Sequence, residues 1–272
     1  MEGSNQKNPL WGVYGYFWNN AIYPYVYLYF SSKEMFSVDD NSMASPVKRG
    51  LRIQEGVQIR SYRDSDYEEC REIFTEGMQQ LINLVTHVVF PKYLRYLTMA
   101  TTLAALASIK WSIWILIVSL FLSLVLLALL YVDIYIECWK FINYCLKTDL
   151  LDINKSYMSS DICHMWVAEW QGKIVGMVGL VVNEKQKPGV AELQRMSVST
   201  TCRKMGVGRK LLEQLLWHAE QQRLTKIVLT TTSAQAPAIG LYKKYGFKLE
   251  EVFPYPQKIL GDLEYWSFYL QL

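Results

Sequence analysis

Two glycines separated by one residue, Gly206 and Gly208, lie in the stretch "CRKMGVGRKLLEQLLWHAE" from Cys202 to Glu220, with Arg203, Lys204, Arg209 and Lys210 around them. A strand-like run, "VAELQRMSV", leads into them. An amphipathic helix follows, with Leu211, Leu212, Leu215, Leu216 and Ala219 on one face. This order predicts an anion site. The first turn of a helix leaves backbone N–H groups unpaired, and the helix dipole favours negative charge there. A glycine has no Cβ to keep a pyrophosphate off the backbone. A dinucleotide fingerprint would need a third glycine and an acidic residue at the end of the next strand. Here "TKIVLTT" ends in threonines, which excludes the Rossmann reading.

The elements that must position this loop read as an α+β layout. "VQIRSYR" alternates as a strand, and "DSDYEECREIFTEGMQQLINLV" follows as a helix capped by Asp64 or Ser65. "HMWVAEW" and "KIVGMVGLVV" form a hairpin about Gln171–Gly172. After the loop and its helix, Gly206 to Arg223, come "TKIVLTT", the helix "APAIGLYKKYG", and the strands "FKLEEVF" and "LEYWSFYLQL". The fold is expected over residues 57–272.

At 272 residues the chain allows one or two domains. A net charge of +3, with both signs interspersed, gives no reason to expect a nucleic-acid partner. Five cysteines form no CxxC pair and leave one over, so neither a disulfide framework nor a zinc site is expected, and a reducing compartment suits them. His87, His164 and His218 lack metal-ligand spacing and read as structural, so no metal is expected.

Two segments point to a bilayer. Trp111 to Val132 is 22 residues without a charge, enough at 1.5 Å per residue to cross a hydrocarbon core of about 30 Å. Residues 1–56 form an aromatic-rich extension and linker, read either as interfacial or as poorly ordered. The strand near Ile59 and the strands after His164 should share one sheet, so the insert, at about residues 96–136, must return to its starting side. A helical hairpin is expected. Its first arm, Tyr96 to Ile109, reaches only about 21 Å, which suggests a re-entrant arm with Lys110 at the turn. Lys92, Arg95, Lys140 and Lys147 flank the pair, a basic excess that favours the cytosolic face.

Arg203-x-x-Gly206-x-Gly208 resembles the acyl-CoA pyrophosphate loop of the GCN5-related N-acetyltransferases, and "APAIGLYKKYGF" resembles that superfamily's second signature, A-x-x-L-Y-x-x-x-G-F. Within it, "TDLLDINKSYM", "WVAEWQGKIVGMVG" and "ELQRMSV" are similar to the camello, or N-acetyltransferase 8, branch, whose members also carry an apolar insert after the first helix. The match covers about Gln58 to Leu272. The fold it implies is a mixed, mostly antiparallel sheet flanked by helices, here with an inserted membrane hairpin.

The resemblance implies acetyl transfer from acetyl-CoA, as co-substrate, to an amine. It places the pyrophosphate against Arg203, Lys204, Met205, Gly206, Val207, Gly208 and Arg209. It assigns the pantetheine arm and the thioester carbonyl to the main chain at Met196 and Val198. Gln235 stands where the family often has an asparagine that contacts the cofactor. Glu192, eleven residues ahead of Arg203, matches the position of a catalytic glutamate, and Tyr242 matches the acid that protonates the departing thiolate. Glu192 can also be read as the partner of Arg195, and Tyr242 as a core residue.

For Arg195 two readings stand: an anchor for a substrate carboxylate, or an ion pair with Glu192. Asp149, Asp152, Lys155 and Tyr157 either line the acceptor pocket or form a solvated loop and helix cap. The expectation is a membrane-anchored N-acetyltransferase on the cytosolic side of the endoplasmic reticulum. The α-amine of an amino acid or of a cysteine S-conjugate is the expected acceptor. A protein lysine is the alternative, and a non-catalytic CoA-binding scaffold is the rival from another class. The sequence does not specify an oligomeric state.

Overall fold

The computed structural model describes residues 56–182, 187–256, 260 and 263–272. The aromatic extension expected ahead of Gly56 lies outside the described residues. Seven strands, β1 (Gln58–Ser61), β2 (His164–Trp170), β3 (Lys173–Val181), β4 (Val190–Val198), β5 (Lys226–Thr232), β6 (Lys248–Pro254) and β7 (Glu264–Gln271), form one sheet in the order β1-β2-β3-β4-β5-β7-β6. Only β4 and β5 run parallel; the other neighbours are antiparallel. The expected hairpin between β2 and β3 is a two-residue turn with positive φ at both Gln171 and Gly172, the type I′ geometry that suits strand twist.

The sheet is covered on both faces, and the period of two along β2 sorts its side chains between them. Trp166 and Ala168 face α4 (Val207–Gln221), whose Leu211, Leu212 and Leu215 are buried against the sheet. Met165 and Val167 face the other side and pack with Cys70, Phe74, Leu150 and Tyr157. His164 and His218 lie beside Trp166 on the α4 side, with their ring centroids 5.4 Å apart and the rings tilted by 36°.

The first helix, α1, runs from Tyr67 to Lys110 without interruption for 44 residues. The domain's own helix and the first arm of the insert are therefore one element, which the sequence divides between two patterns. Neither Asp64 nor Ser65 caps it. Asp64–Asp66 form a short 3-10 turn, and Asp66 bonds the Arg63 N–H at 2.8 Å and the Arg60 guanidinium at 2.6 Å. At Trp111–Ser112 the chain reverses into α2 (Ile113–Lys147), and the Ser112 hydroxyl accepts from the Trp114 N–H at 3.4 Å.

Contacts such as Phe74 with Phe141, and Val85 with Ile134, make α1 and α2 an antiparallel hairpin. β1 pairs directly with β2 (Ile59↔Ala168, Ser61↔Trp166), so the chain enters and leaves the hairpin on one side, as the sheet argument requires. Beyond the sheet the arms are sheathed in exposed apolar residues: Met99 is 66 % exposed, Leu124 68 % and Ile109 83 %. Among the described residues only α2 is long and apolar enough to cross a membrane, with a mean hydropathy of 3.0 over its most apolar 18 residues, of which 6 % are buried.

Candidate active site

The site is built on a fault in the sheet. β4 pairs with β3 at Met177↔Ser197 and again at Gly179↔Gln194, so three steps on β4 oppose two on β3. The extra residue is accommodated at Arg195, whose φ of 54° is the left-handed conformation of a bulge. On its other edge β4 pairs with β5 only through Val190, Ala191 and Glu192, the last opposite Val228. Beyond Glu192 the parallel strands separate, and the β5-facing donors of β4 have no ladder partner. This opening is the splay expected near Met196 and Val198.

A cavity of about 210 Å³ occupies the opening. Its walls include Glu192, Arg195 and Met196 from β4, Thr232 from β5, and Gln235 and Tyr242, which flank and form part of α5 (Ala236–Lys244). Five of the residues singled out from the sequence thus come together. Burial pushes the Glu192 carboxyl above the ordinary carboxylate range, against the pull of a Gln194 hydrogen bond and the Arg195 charge. Burial also raises the Tyr242 phenol, so it holds its proton at neutral pH. Its hydroxyl faces the Met196 sulfur, a weak acceptor, at 3.6 Å.

Gln235 uses its side-chain oxygen within the protein, accepting from the Thr231 hydroxyl and from the Thr232 N–H at 3.4 Å. Its carboxamide oxygen braces the end of β5, which the asparagine comparison did not anticipate.

The glycine loop adjoins the cavity through Met196. A Cβ added to Gly208 would sit 3.4 Å from the Met196 terminal methyl and 3.6 Å from Val198. Gly206, at φ 83°, is the N-cap residue of α4 and supplies no side-chain cap. The first bond of the helix is Lys210 N–H to the Gly206 carbonyl at 3.0 Å. The N–H groups of Val207, Gly208 and Arg209 therefore precede the intrahelical ladder.

The basic residues near the loop divide. Arg203 and Lys204 are exposed, and Arg203 reaches the Val198 carbonyl at 3.5 Å. Arg209 pairs with Glu213 at 3.0 Å, and Lys210 turns away to the Val57 carbonyl at 2.9 Å. Lys210 is thus a strut to the start of β1 and not a phosphate ligand. The Met205 side chain packs against the core and the Val207 side chain is buried in it, leaving only their main chain to the loop.

Arg195 pairs with Asp149, not with Glu192. Nε meets Oδ2 at 2.7 Å and a terminal nitrogen meets Oδ1 at 2.9 Å, a two-point contact. Tyr157 donates to the same carboxylate at 2.5 Å and reaches the Gln194 side-chain oxygen at 3.2 Å. Although burial opposes it, the Arg195 guanidinium holds the Asp149 carboxyl below its ordinary value. The Tyr157 ring lies where Gly179 has no side chain; a Cβ there would come within 2.5 Å of it. So Asp149 and Tyr157 are neither pocket wall nor solvated loop. They form a clamp on the bulge, half-buried at Asp149 and fully buried at Tyr157. Asp152 is a cap, accepting from the Lys155 N–H at 2.9 Å, and Lys155 is exposed. No local pattern announces the clamp, because Asp149 and the Arg195 it holds are 46 residues apart in sequence.

Residues 130–247 match the model of the Acetyltransferase (GNAT) family, from within α2 through the glycine loop to the end of the Tyr242 signature. Mouse N-acetyltransferase 8F1 is 34% identical over 195 residues, which is 70% of this chain and 85% of that protein. The chain belongs to the N-acetyltransferase 8 family. The probable N-acetyltransferase camello of Xenopus laevis is 33% identical over 71% of this chain and 86% of its own. The family makes this chain an acetyl-CoA-dependent N-acetyltransferase of the GNAT fold. Among solved structures, a GNAT acetyltransferase from Staphylococcus aureus Mu50 aligns over 79% of this chain and 99% of its own, at 18% identity and a TM-score of 0.48.

Proposed function

We propose that this chain is a membrane-anchored enzyme that transfers acetyl from acetyl-CoA to a primary amine, with its sheet on the cytosolic face of the endoplasmic reticulum. One observation carries the reading: an uncapped, glycine-led helix N-terminus adjoins, through Met196, a cavity that holds both Glu192 and Tyr242. An extended donor laid along that path has its phosphates at the loop and its thioester at the bulge. The bilayer half of the reading rests on α2, on the exposed apolar sheath of the hairpin, and on Lys92, Arg95 and Lys147 near its base.

Chemistry then assigns tasks. An alkyl ammonium has a pKa of about 10, so only about one molecule in a thousand is a free amine at neutral pH. Glu192 takes the proton, directly or through a water, and its raised pKa makes it a better base than an exposed glutamate. The unpaired donors of β4 around Met196 and Val198 stabilise the oxyanion. Tyr242, protonated and buried beside Met196, returns a proton to the leaving thiolate. The expected acceptor, the α-amine of an amino acid or cysteine S-conjugate, would need a cation for its carboxylate. The cation named for that task, Arg195, already meets Asp149 at two points.

The loop is tested by Gly206→Val. A branched side chain forced to φ 83° costs about 1–2 kcal/mol and stands over the donors, so KM for acetyl-CoA rises about 10- to 30-fold with a smaller change in kcat. An unchanged KM would remove the loop from the donor site. The reaction is tested by CoA release from the detergent-purified full chain with acetyl-CoA and aspartate, S-benzylcysteine, spermidine, a lysine peptide or an alkylamine. Release is expected with at least one of them. Acetyl-CoA bound without turnover on any of them would defeat the proposed function.

A further inference from the structure

The cavity at Glu192 is closed on its far side by the base of the hairpin. Phe74, Met78, Leu81 and Val85 of α1 and Ile134 and Phe141 of α2 form that wall. These same helices carry the exposed apolar sheath. Val85 stands nine residues, about 14 Å of helical rise, from Leu94, where α1 becomes apolar and exposed. The acceptor side of the site is therefore an apolar wall carried on the same two helices as the exposed apolar arms.

Its charges point the same way. The guanidinium of Arg195 is matched by Asp149 and flanked by the Phe74 and Phe141 rings at 5.7 and 5.8 Å. The other ionisable groups on the described walls are Glu192, Glu137, the tyrosines and the Cys138 thiol, none of them a cation. Glu137 pairs with Lys140 at 2.6 Å. An ammonium is at home beside these groups, whereas a carboxylate would face Glu192 with no uncommitted cation among the described lining residues.

Resting on the acetyltransferase reading of this cavity, we propose that the acceptor is a membrane-dissolved primary amine with an apolar body and no carboxylate. Its nitrogen lies toward Glu192 and its alkyl or arylalkyl body lies against the hairpin wall. In the reaction the amine nitrogen bonds to the thioester carbon as the C–S bond breaks. Glu192 takes one proton from the bound ammonium; the second, shed from nitrogen as the amide forms, replaces the one that Tyr242 gives to the thiolate, and the products are an N-substituted acetamide and free CoA.

The test uses the full chain in phosphatidylcholine vesicles with acetyl-CoA and n-alkylamines from propylamine to octylamine. Pentylamine is set against norleucine, the same chain bearing an α-carboxylate. The expected result is a kcat/KM that climbs about fourfold per methylene, the ratio for about 0.8 kcal/mol per buried CH₂, over the first carbons and then levels. Pentylamine exceeds norleucine at least tenfold. Met78→Gln flattens the climb and leaves KM for acetyl-CoA unchanged, which separates contact with the wall from partition into the vesicle. A flat series, a climb that survives Met78→Gln, or norleucine or aspartate turned over as well as pentylamine would overturn the proposal and leave acetyl transfer standing. Silence with every amine, including the lysine peptide and spermidine, would take the acetyltransferase reading down with it.

Discussion

Glu192→Gln lowers kcat/KM by about 10²- to 10³-fold and leaves acetyl-CoA affinity unchanged. The side chain keeps its size and its hydrogen-bonding capacity at the wall of the cavity, so only proton acceptance is lost. In the wild type the acid limb of kcat/KM follows deprotonation of Glu192 and lies above the ordinary carboxylate range, because burial favours the neutral acid. In Glu192→Gln that limb is absent from the residual activity.

Stability moves the other way. A carboxyl whose folded pKa exceeds its unfolded value stabilises the fold only at low pH, and that contribution is lost as pH rises through the folded pKa. At pH 7.5 the charged, desolvated carboxylate is a cost, so Glu192→Gln unfolds at the same temperature or higher. A drop in melting temperature, with kcat/KM scarcely changed, would reassign Glu192 to a structural role.

Much of this was legible in the sequence, for reasons that can be stated locally. The boundaries of β4 are those of its alternating run, because Ala191 and Leu193 are buried on one face while Glu192 and Gln194 alternate with them on the other, the period of two of a strand with one apolar face. The glycine loop announces itself because a left-handed N-cap excludes most other residues at Gly206. The hairpin follows from topology, since two strands of one sheet cannot lie on opposite sides of a bilayer.

What was hidden is long-range. The continuity of α1 through Pro91 is invisible because a proline inside a helix reads locally as a stop. The partner of Arg195 is hidden for a related reason. Glu192 is close in sequence and lines the same cavity, but the guanidinium is held by a residue 46 positions away. The C-terminal end of α2 brings Asp149 in instead. The wall of the cavity comes from the apolar faces of α1 and α2, whose pattern tells that they are buried but not against what.

Asp149→Ala lowers the melting temperature by about 6–12 °C and cuts kcat more than it alters KM for acetyl-CoA. The first effect follows from burial. Removing one partner leaves the guanidinium between two aromatic rings without its carboxylate, and leaves the Tyr157 hydroxyl without its closest acceptor. Breaking such a pair costs about 3 kcal/mol, which for a domain of this size is the stated shift. The contribution is pH-dependent in the acid range. The Asp149 pKa is depressed in the fold, so its stabilisation is present above the unfolded value near 3.9 and is lost as pH falls through the folded one.

The second effect separates a positioning residue from a merely structural one. Asp149 holds the side chain of the bulged residue, and the bulge lies where β4 parts from β5 beside the cavity. In the double variant Asp149→Ala/Arg195→Met the uncompensated charge is gone, so most of the melting temperature returns. The tie between the end of α2 and the bulge is gone as well, so kcat stays low. If kcat recovers in step with stability, the clamp does no more than hold the fold together. If it does not, the end of the α1–α2 hairpin sets the geometry of β4, and the hairpin is part of the active-site framework.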